Sequence, residues 1–221
     1  MSLLIRIKKI LSFLLPMHIA HVQTDKNGLV ELSFCNGKKL LNTPHTNYSY
    51  GTLQAILRFG LKKIDAKNIT TVLLLGLGGG SVVETLRSEF HHRHKIEAVD
   101  FDTRIISLAL EEYNLQNDTE LEIIQDDAFH YVHTTDHTYN TVIVDLFVDD
   151  EAPDFVYSSL FWDDIYAALD SHGSVVFNAA ISHSHDAEIQ QLIGHLENLF
   201  DVDMYDYVES TNTVIIAKKR V

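Results

Sequence analysis

The sequence has 221 residues and is acidic, and its composition already excludes several classes of protein. The 31 Asp and Glu residues outnumber the 17 Lys and Arg residues, which argues against a nucleic-acid partner because phosphate contacts need clustered cations. A hydrophobic content of 46% is sufficient for one sizeable core. Cys35 is the only cysteine, so the sequence predicts neither a disulfide framework nor a cysteine-based zinc site, and it favours a reducing, cytoplasmic location.

The N-terminal part of the chain predicts a helix and a small β-meander. Residues 1–15 carry apolar side chains at helical spacing ahead of Pro16, which favours a short amphipathic helix over a secretory signal. Residues 18–41 alternate polar and apolar side chains around two Asn-Gly pairs, which are typical of tight hairpin turns. A connecting helix is predicted within 48–64, and no stretch of the chain is apolar for long enough to span a bilayer.

From residue 69 onward, the pattern predicts strands and helices in strict alternation. The strands lie at about 69–75, 95–100, 120–125, 140–146 and 173–179, and the helices near 80–90, 103–115, 127–133, 159–170 and 185–199. The segments VDMYDYVE and NTVIIAKK follow as two strands, joined by too few residues for a parallel crossover. Their pairing must therefore be antiparallel.

These patterns predict an α/β fold with a Rossmann-like, doubly wound, mainly parallel seven-stranded sheet whose last strand pair is antiparallel. A small N-terminal β-meander precedes this sheet. The predicted domains are residues 1–47, with the N-terminal helix and meander, and residues 48–221, with the Rossmann-like domain.

The stretch TTVLLLGLGGGSVVETL, residues 70–86, predicts a strand that runs through a glycine turn into a helix. In open α/β sheets, ligands bind beyond the carboxyl ends of the strands, where a glycine turn permits close approach of the backbone. Asp100 lies at the tip of the second predicted strand, where a carboxylate can accept both hydroxyls of a ribose. Together the turn and the acid predict an adenosine-containing ligand.

The motif does not fit a nicotinamide dinucleotide. The third glycine of the G-x-G-x-x-G fingerprint is replaced by Ser81, and dehydrogenase domains lack a closing antiparallel pair. The third strand ends in IIQDDAF, where an acidic residue followed by a small one can hold an adenine amino group and leave room for the ring.

The segments VLLLGLGGGS, IEAVDFD, LEIIQDDA and YNTVIVDLF resemble, in order and spacing, the successive motifs of class I S-adenosylmethionine-dependent transferases. Within that class, the chain is most similar to the spermidine synthase (polyamine aminopropyltransferase) family, whose members also place a small β-domain before the nucleotide fold. The resemblance extends over nearly the whole chain from about residue 18. It implies a transferase that uses S-adenosylmethionine or its decarboxylated form as co-substrate, without a metal.

The resemblance also implies roles for individual residues. The glycines would lie against the amino-acid or aminopropyl part of the co-substrate, one acid would hold the ribose, and an acid with its small neighbour would face the adenine. A further acid would contact the attacking amine and accept its proton. In this order, the residues are Gly76, Gly78 and Gly80; Asp100; Asp127 with Ala128; and Asp145. Asp102 and Asp126 are as well explained as capping or solvated carboxylates.

The chain departs from the family pattern in the glycine turn. The family carries G-G-G-D-G-G there, with an aspartate that grips the ammonium of decarboxylated S-adenosylmethionine, and Gly79 takes the place of that aspartate. The clearest marker of the decarboxylated form is therefore missing.

Two further departures concern the acceptor. The family's D-S-S-D-type segment is DLFVDDEAP here, and its second acid survives only approximately, as Asp149 or Asp150. The tyrosine of a Tyr-x-Glu-like motif corresponds to Tyr48 or Tyr50, without the partner acid. We interpret these four residues as candidate substrate-binding residues.

The sequence therefore predicts a transferase that moves a methyl or aminopropyl group to a small molecule, with an amine among the candidate acceptors. The alternative is a non-catalytic nucleoside-binding or assembly protein that retains the fold. Neither a nucleic acid nor a membrane span is expected, and the family resemblance is compatible with a homodimer. Asn178 either lines the pocket or ends a strand, and the histidines at 91–94 and 183–185 are expected to be solvated.

Overall fold

The computed structural model describes residues 3–43, 47–64, 69–148, 151–181 and 186–220. The helices within these ranges are α1 Leu3–Leu11, α2 Gly51–Leu61, α3 Ser81–Ser88, α4 Thr103–Tyr113, α5 Ala128–Thr134, α6 Ser159–Ala168 and α7 Asp186–Leu199. The strands are β1 Met17–Gln23, β2 Leu29–Cys35, β3 Lys38–Asn42, β4 Asn47–Ser49, β5 Val72–Leu75, β6 Ile96–Asp100, β7 Leu121–Gln125, β8 Tyr139–Val144, β9 Leu169–Ile181, β10 Phe200–Val208 and β11 Asn212–Lys219.

The strands form two sheets. The N-terminal sheet is antiparallel, with the order β1-β2-β3-β4, and the larger sheet has the order β10-β11-β9-β8-β5-β6-β7. Strands β5 to β9 pair in parallel, whereas β11 is antiparallel to both β9 and β10. The predicted fold class is therefore confirmed. Strand β4 lies across the predicted domain boundary and pairs with β3.

Strand β5 lies in the interior of the larger sheet and is buried on both faces, as expected for a parallel sheet covered by helices. Its side chains alternate between the two cores: Leu73 and Leu75 pack with residues of α5, α6 and α7, whereas Val72 and Leu74 pack with residues of α2, α3 and α4. The neighbours of β5 are β6 on one side and β8 on the other. The chain therefore changes winding direction at β5, which places a topological switch point at the turn that follows it.

The N-terminal sheet packs one face against α4. Val30, Leu32 and Leu41 form a small core with Ile105 and Leu108 of that helix. Helix α1, by contrast, has no buried residue. None of the described helices has the length and apolar character that crossing a membrane requires.

The expectation that the histidines at 91–94 are solvated is wrong for His92, which is only 5% exposed. The connection folds back onto α3: the backbone N–H of His92 donates to Leu86 O at 3.0 Å, and Arg87 donates to the carbonyl of His92 at 3.1 Å. Burial, followed by the charge of Arg87, lowers the pKa of His92. The same expectation for His183 and His185 concerns residues that lie outside the described ranges.

Candidate active site

The glycine turn, residues 76–80, connects the carboxyl end of β5 to the amino end of α3. Gly76, Gly78 and Gly80 have φ angles of 94°, 52° and 82°, a region that residues with side chains rarely adopt. A Cβ atom at Gly76 would lie 2.1 Å from the backbone oxygen of Asp145, and one at Gly80 would lie 2.4 Å from the side chain of Leu115. Close packing of the neighbouring backbone and side chain is thus a structural reason for two of the three glycines that are predicted to face a co-substrate.

Asp100 ends β6 beside the glycine turn, and its residue is 5% exposed. Its Oδ2 accepts the backbone N–H groups of Leu77 and Gly78 at 3.1 and 3.2 Å, and Oδ1 accepts that of Asp102 at 3.0 Å. Burial raises the pKa of Asp100 to about 6, although these three donors act in the opposite direction. Because a carboxylate offers about four lone-pair sites, it retains acceptor capacity for the predicted ribose hydroxyl.

Asp102 caps a helix, which is one of the two roles that the sequence predicts for it. Its Oδ1 accepts the backbone N–H groups of Arg104 and Ile105 in the first turn of α4. Its Oδ2 accepts those of Asp25 and Lys26 at 3.1 Å each. The buried carboxylate of Asp102 thus caps the amino end of α4 and links the β1–β2 connection to this helix through hydrogen bonds.

Asp127 and Ala128 lie at the amino end of α5. Asp127 is the N-cap residue of the helix, and its Oδ1 accepts the backbone N–H of His130 at 3.1 Å. Its side chain is exposed, whereas Ala128 is buried. Asp126 instead contacts the His130 ring at 2.9 Å. Capping explains Asp127 without a ligand, so its contact with an adenine stays a prediction.

Asp145 directly follows β8, and its backbone N–H donates to Leu75 O at 2.9 Å, so it lies beside Gly76 across the switch point. The carboxylate Oδ1 accepts a hydrogen bond of 2.9 Å from Nδ2 of Asn178. Within the described part of the chain, no other donor reaches this carboxylate. Burial raises the pKa of Asp145 to about 6, and the bond from Asn178 acts to lower it. A group with this pKa is mostly ionised at neutral pH and can accept a proton.

The amide that holds Asp145 belongs to a chain of side chains across the sheet. Asn178 is fully buried, and its Oδ1 accepts a hydrogen bond of 2.9 Å from Nδ2 of Asn212. These side-chain hydrogen bonds therefore connect Asn212 on β11, through Asn178 on β9, to Asp145 at the end of β8. Asn178 does not end its strand, because β9 continues to Ile181. Sequence reasoning missed Asn212, since no local pattern reports which residues of β9 and β11 meet.

Tyr50 approaches the glycine turn from the N-terminal side. Its residue is 5% exposed, its hydroxyl donates to Gly79 O at 3.5 Å, and its ring stacks on Tyr113 with 4.8 Å between centroids. Burial raises the pKa of Tyr50, and the charge of Glu84 adds to this effect, so the phenol stays neutral. Sequence reasoning also missed Tyr113, because only the fold brings it to Tyr50.

Three of the predicted substrate-binding residues are not placed by the structure. The structure describes the backbone of Tyr48, as part of β4, but not its side chain. Asp149 and Asp150 lie outside the described residues.

A pocket of about 400 Å³ lies between the N-terminal part of the chain and helices α3 and α4. Of the predicted site residues that the structure describes, Tyr50 lines it, whereas Asp100, Asp127 and Asp145 do not. The other lining residues are Lys9, Phe34, Gly37, Lys38, Lys39, Glu84, Glu112, Tyr113 and Asn114.

The strand order, with β11 antiparallel to its two neighbours, is that of the Rossmann-like fold that methyltransferases also have. Human methyltransferase-like protein 13, solved in complex with SAH, has this fold: its TM-score is 0.60 at 17% identity, over 77% of this chain and 82% of that one. A probable spermidine synthase from Corynebacterium glutamicum aligns with a TM-score of 0.72 at 14% identity, over 91% of this chain and 79% of that one.

The family follows from the sequence comparisons. The Spermine/spermidine synthase domain model matches residues 55–215, and the chain belongs to this family. The polyamine aminopropyltransferase of Sulfolobus acidocaldarius is 28% identical over 125 residues, which are 52% of this chain and 40% of that protein. This chain therefore matches less than half of that relative's length.

Proposed function

We propose that the chain is a transferase that moves an alkyl group from an adenosyl sulfonium co-substrate to a small amine. The observation that carries the proposal is the position of Asp145, a carboxylate of raised pKa at the switch point, held by Asn178 and in contact with the glycine turn through its backbone. The family membership supports the same reaction class.

The residues at the switch point are compatible with an adenosyl sulfonium. Gly76 and Gly78 of the glycine turn are partly exposed and carry no side chain, and Asp100 retains acceptor capacity for a ribose hydroxyl. The sulfonium is cationic, and carboxylates at the ends of β6 and β8 favour a cation between them electrostatically. S-adenosylmethionine and its decarboxylated form both carry the ribose hydroxyls and the sulfonium, so these contacts do not distinguish between them.

The chemistry asks three things of the chain: orientation, exclusion of water and removal of one proton. The nitrogen lone pair of the acceptor attacks the activated carbon, and the carbon–sulfur bond breaks with its electron pair going to sulfur, which leaves a neutral thioether. The extra proton on nitrogen passes to Asp145. General-base assistance of this kind contributes on the order of 10² to 10⁴ in rate.

We propose aminopropyl transfer as the first candidate, because the named sequence relative is a polyamine aminopropyltransferase. Methyl transfer from S-adenosylmethionine is the second candidate, and Gly79 favours it, since the turn offers no carboxylate for the ammonium of the decarboxylated form. The chain is proposed to act in the cytoplasm as a homodimer.

The test begins with binding. Calorimetric titrations with S-adenosylmethionine, its decarboxylated form and methylthioadenosine identify the co-substrate, and transfer to putrescine is then assayed by release of the thioether product. We expect Asp145→Asn to lower turnover about 100-fold or more and to leave the affinity for methylthioadenosine, which carries no sulfonium charge, unchanged.

Asp154→Asn is the matched control, because Asp154 is exposed in the segment that follows the same strand. It should leave both quantities unchanged. Binding of an adenosyl ligand without turnover on any amine would favour the non-catalytic alternative, and failure to bind any of the three ligands would exclude the whole proposal.

A further inference from the structure

Two histidines and a glutamate converge on the outer face of the N-terminal sheet, away from the glycine turn. One ligand atom from each of His18, His21 and Glu31 lies within 4.8 Å of the other two. The Nδ1 atom of His18 is 3.2 Å from Oε1 of Glu31, and the rings of His18 and His21 are 4.4 Å apart between centroids.

A β-bulge creates this arrangement. Side chains three apart in a regular strand point to opposite faces of a sheet, so His18 and His21 would be separated. The register of β1 against β2 shifts between His18 and Ala20, and one residue of β1 is left without a partner. Both histidines are therefore exposed, and His21 lies directly opposite Glu31 on β2.

We propose that His18, His21 and Glu31 form a binding site for a divalent transition-metal ion, with Zn²⁺ as the physiological candidate. Two imidazoles and one carboxylate are a donor set that zinc accepts, with ligand distances of about 2.0–2.2 Å and a water as fourth ligand. Tetrahedral coordination at such distances separates the donor atoms by roughly 3.3 Å, which follows from the same geometry. The His18–Glu31 pair already has this spacing, and rotation of the exposed His21 ring completes the set.

The surroundings of the three residues fit such an ion. The side chains of His18 and Glu31 are 46% and 41% exposed, which leaves access for the ion and its water. The formal charge of the chain is -14, which favours cations over anions near its surface. The site bridges β1 and β2, so a bound ion would stabilise the pairing of the two strands.

The test uses the full chain without a polyhistidine tag, stripped of metal and titrated with Zn²⁺ against a chromophoric chelator. We expect one Zn²⁺ per chain at this site. Either His18→Asn or His21→Asn should weaken its affinity by roughly tenfold or more, since each removes one of three protein ligands. Far-ultraviolet circular dichroism without metal should be unchanged in both variants, because the substituted side chains are exposed.

His195→Asn is the matched control, because His195 also pairs with a carboxylate, that of Asp163 at 2.9 Å, but has no second histidine in its pair. It should leave the affinity unchanged. In the wild type, Co²⁺ should give the visible absorption of a four-coordinate ion, and His21→Asn should remove it. Absence of saturable Zn²⁺ binding, or equal binding in the wild type and both histidine variants, would overturn the proposal. None of these readouts depends on transferase activity.

Discussion

Asp100 and Asp145 are both carboxylates whose pKa is raised to about 6 by burial, yet their surroundings differ. Three backbone N–H groups bind the oxygens of Asp100, whereas Asp145 accepts a hydrogen bond from Asn178 alone among the described residues. Asp100 is thus suited to fix the turn and Asp145 to receive a proton. The number of bound donors, rather than the pKa, distinguishes the two roles.

We expect Asn178→Ala to shift the acid limb of the pH–rate profile to higher pH. The amide donates to the charged form of Asp145 and so lowers its pKa, which means that its removal raises the pKa above about 6. Asn212→Ala keeps the donor on Asn178 and should shift the limb less. An unchanged profile in Asn178→Ala would show that Asp145 does not set the acid limb.

We expect Gly76→Ala to destabilise the fold by about 3 kcal/mol, because a positive φ and a clash with the backbone of Asp145 add together. The added Cβ would lie 2.1 Å from a backbone oxygen, which cannot rotate away. Gly194→Ala is the matched control: this glycine is helical with open space around it, so the change should stabilise by about 0.5–1 kcal/mol. Urea unfolding measures both, and equal effects would contradict the argument.

Sequence reasoning at this scale works where a role is local. Asp102 lies immediately before a periodic helix, and its capping role can be inferred from that position. The link from Asn212 through Asn178 to Asp145 depends on strand pairing between distant segments, which no spacing encodes. The burial of His92 likewise depends on how its connection folds onto α3.

At the scale of elements, β6 carries two carboxylates with opposite pKa shifts near its two ends. Asp100 lies at the carboxyl end near the candidate active site, and Glu97 lies near the other end. Burial opposes ionisation of Glu97, but donors from Lys95, Tyr139, Tyr131 and His137 outweigh it and lower the pKa of Glu97 to about 2. Glu97 is thus a structural ion.

We expect Glu97→Gln to lower the free energy of unfolding at pH 7 by about 3 kcal/mol, the value of a shift from 4.5 to about 2. Because the folded-state pKa is lowered, this stability is present above pH 4.5 and is lost as the pH falls toward 2. The difference between variant and wild type should therefore shrink over that window in urea titrations. Glu122→Gln, which also faces Lys95 but is 56% exposed, should cost less than about 1 kcal/mol at pH 7.

The order of elements in the α/β part was predictable because the hydrophobic period changes between strands and helices, and β10 and β11 have bounds close to those predicted. Strand β4 was not predicted, since three residues carry too little periodicity. The bulge in β1 is also invisible in the sequence, because it becomes apparent only in the register against β2.

At the scale of the whole molecule, α1 and the residues after it present a large apolar surface. Leu3, Ile10, Leu14 and Leu15 are 74%, 70%, 80% and 70% exposed. Contiguous apolar surface of this kind is typical of protein–protein contacts. The proposed homodimer would cover it.

We expect sedimentation velocity to show a dimer at micromolar concentration, and the double variant Leu14→Glu, Leu15→Glu to shift it to the monomer. Charges at a contact that is apolar on both sides remain unpaired and desolvated. The control is Leu160→Glu at the start of α6, which also replaces an exposed leucine, 51% exposed, but lies outside this apolar segment. It should leave the dimer unchanged. A monomeric wild type would contradict the homodimer.

The contacts of Asp100 also have a consequence for the speed of ligand capture. Its bonds to Leu77 and Gly78 hold the glycine turn in shape without a ligand. Because the turn is already ordered before a ligand binds, binding costs the protein little conformational entropy at this position. Association at this turn should be limited by diffusion and orientation rather than by rearrangement of the turn, so capture should follow a single exponential whose rate rises linearly with ligand concentration.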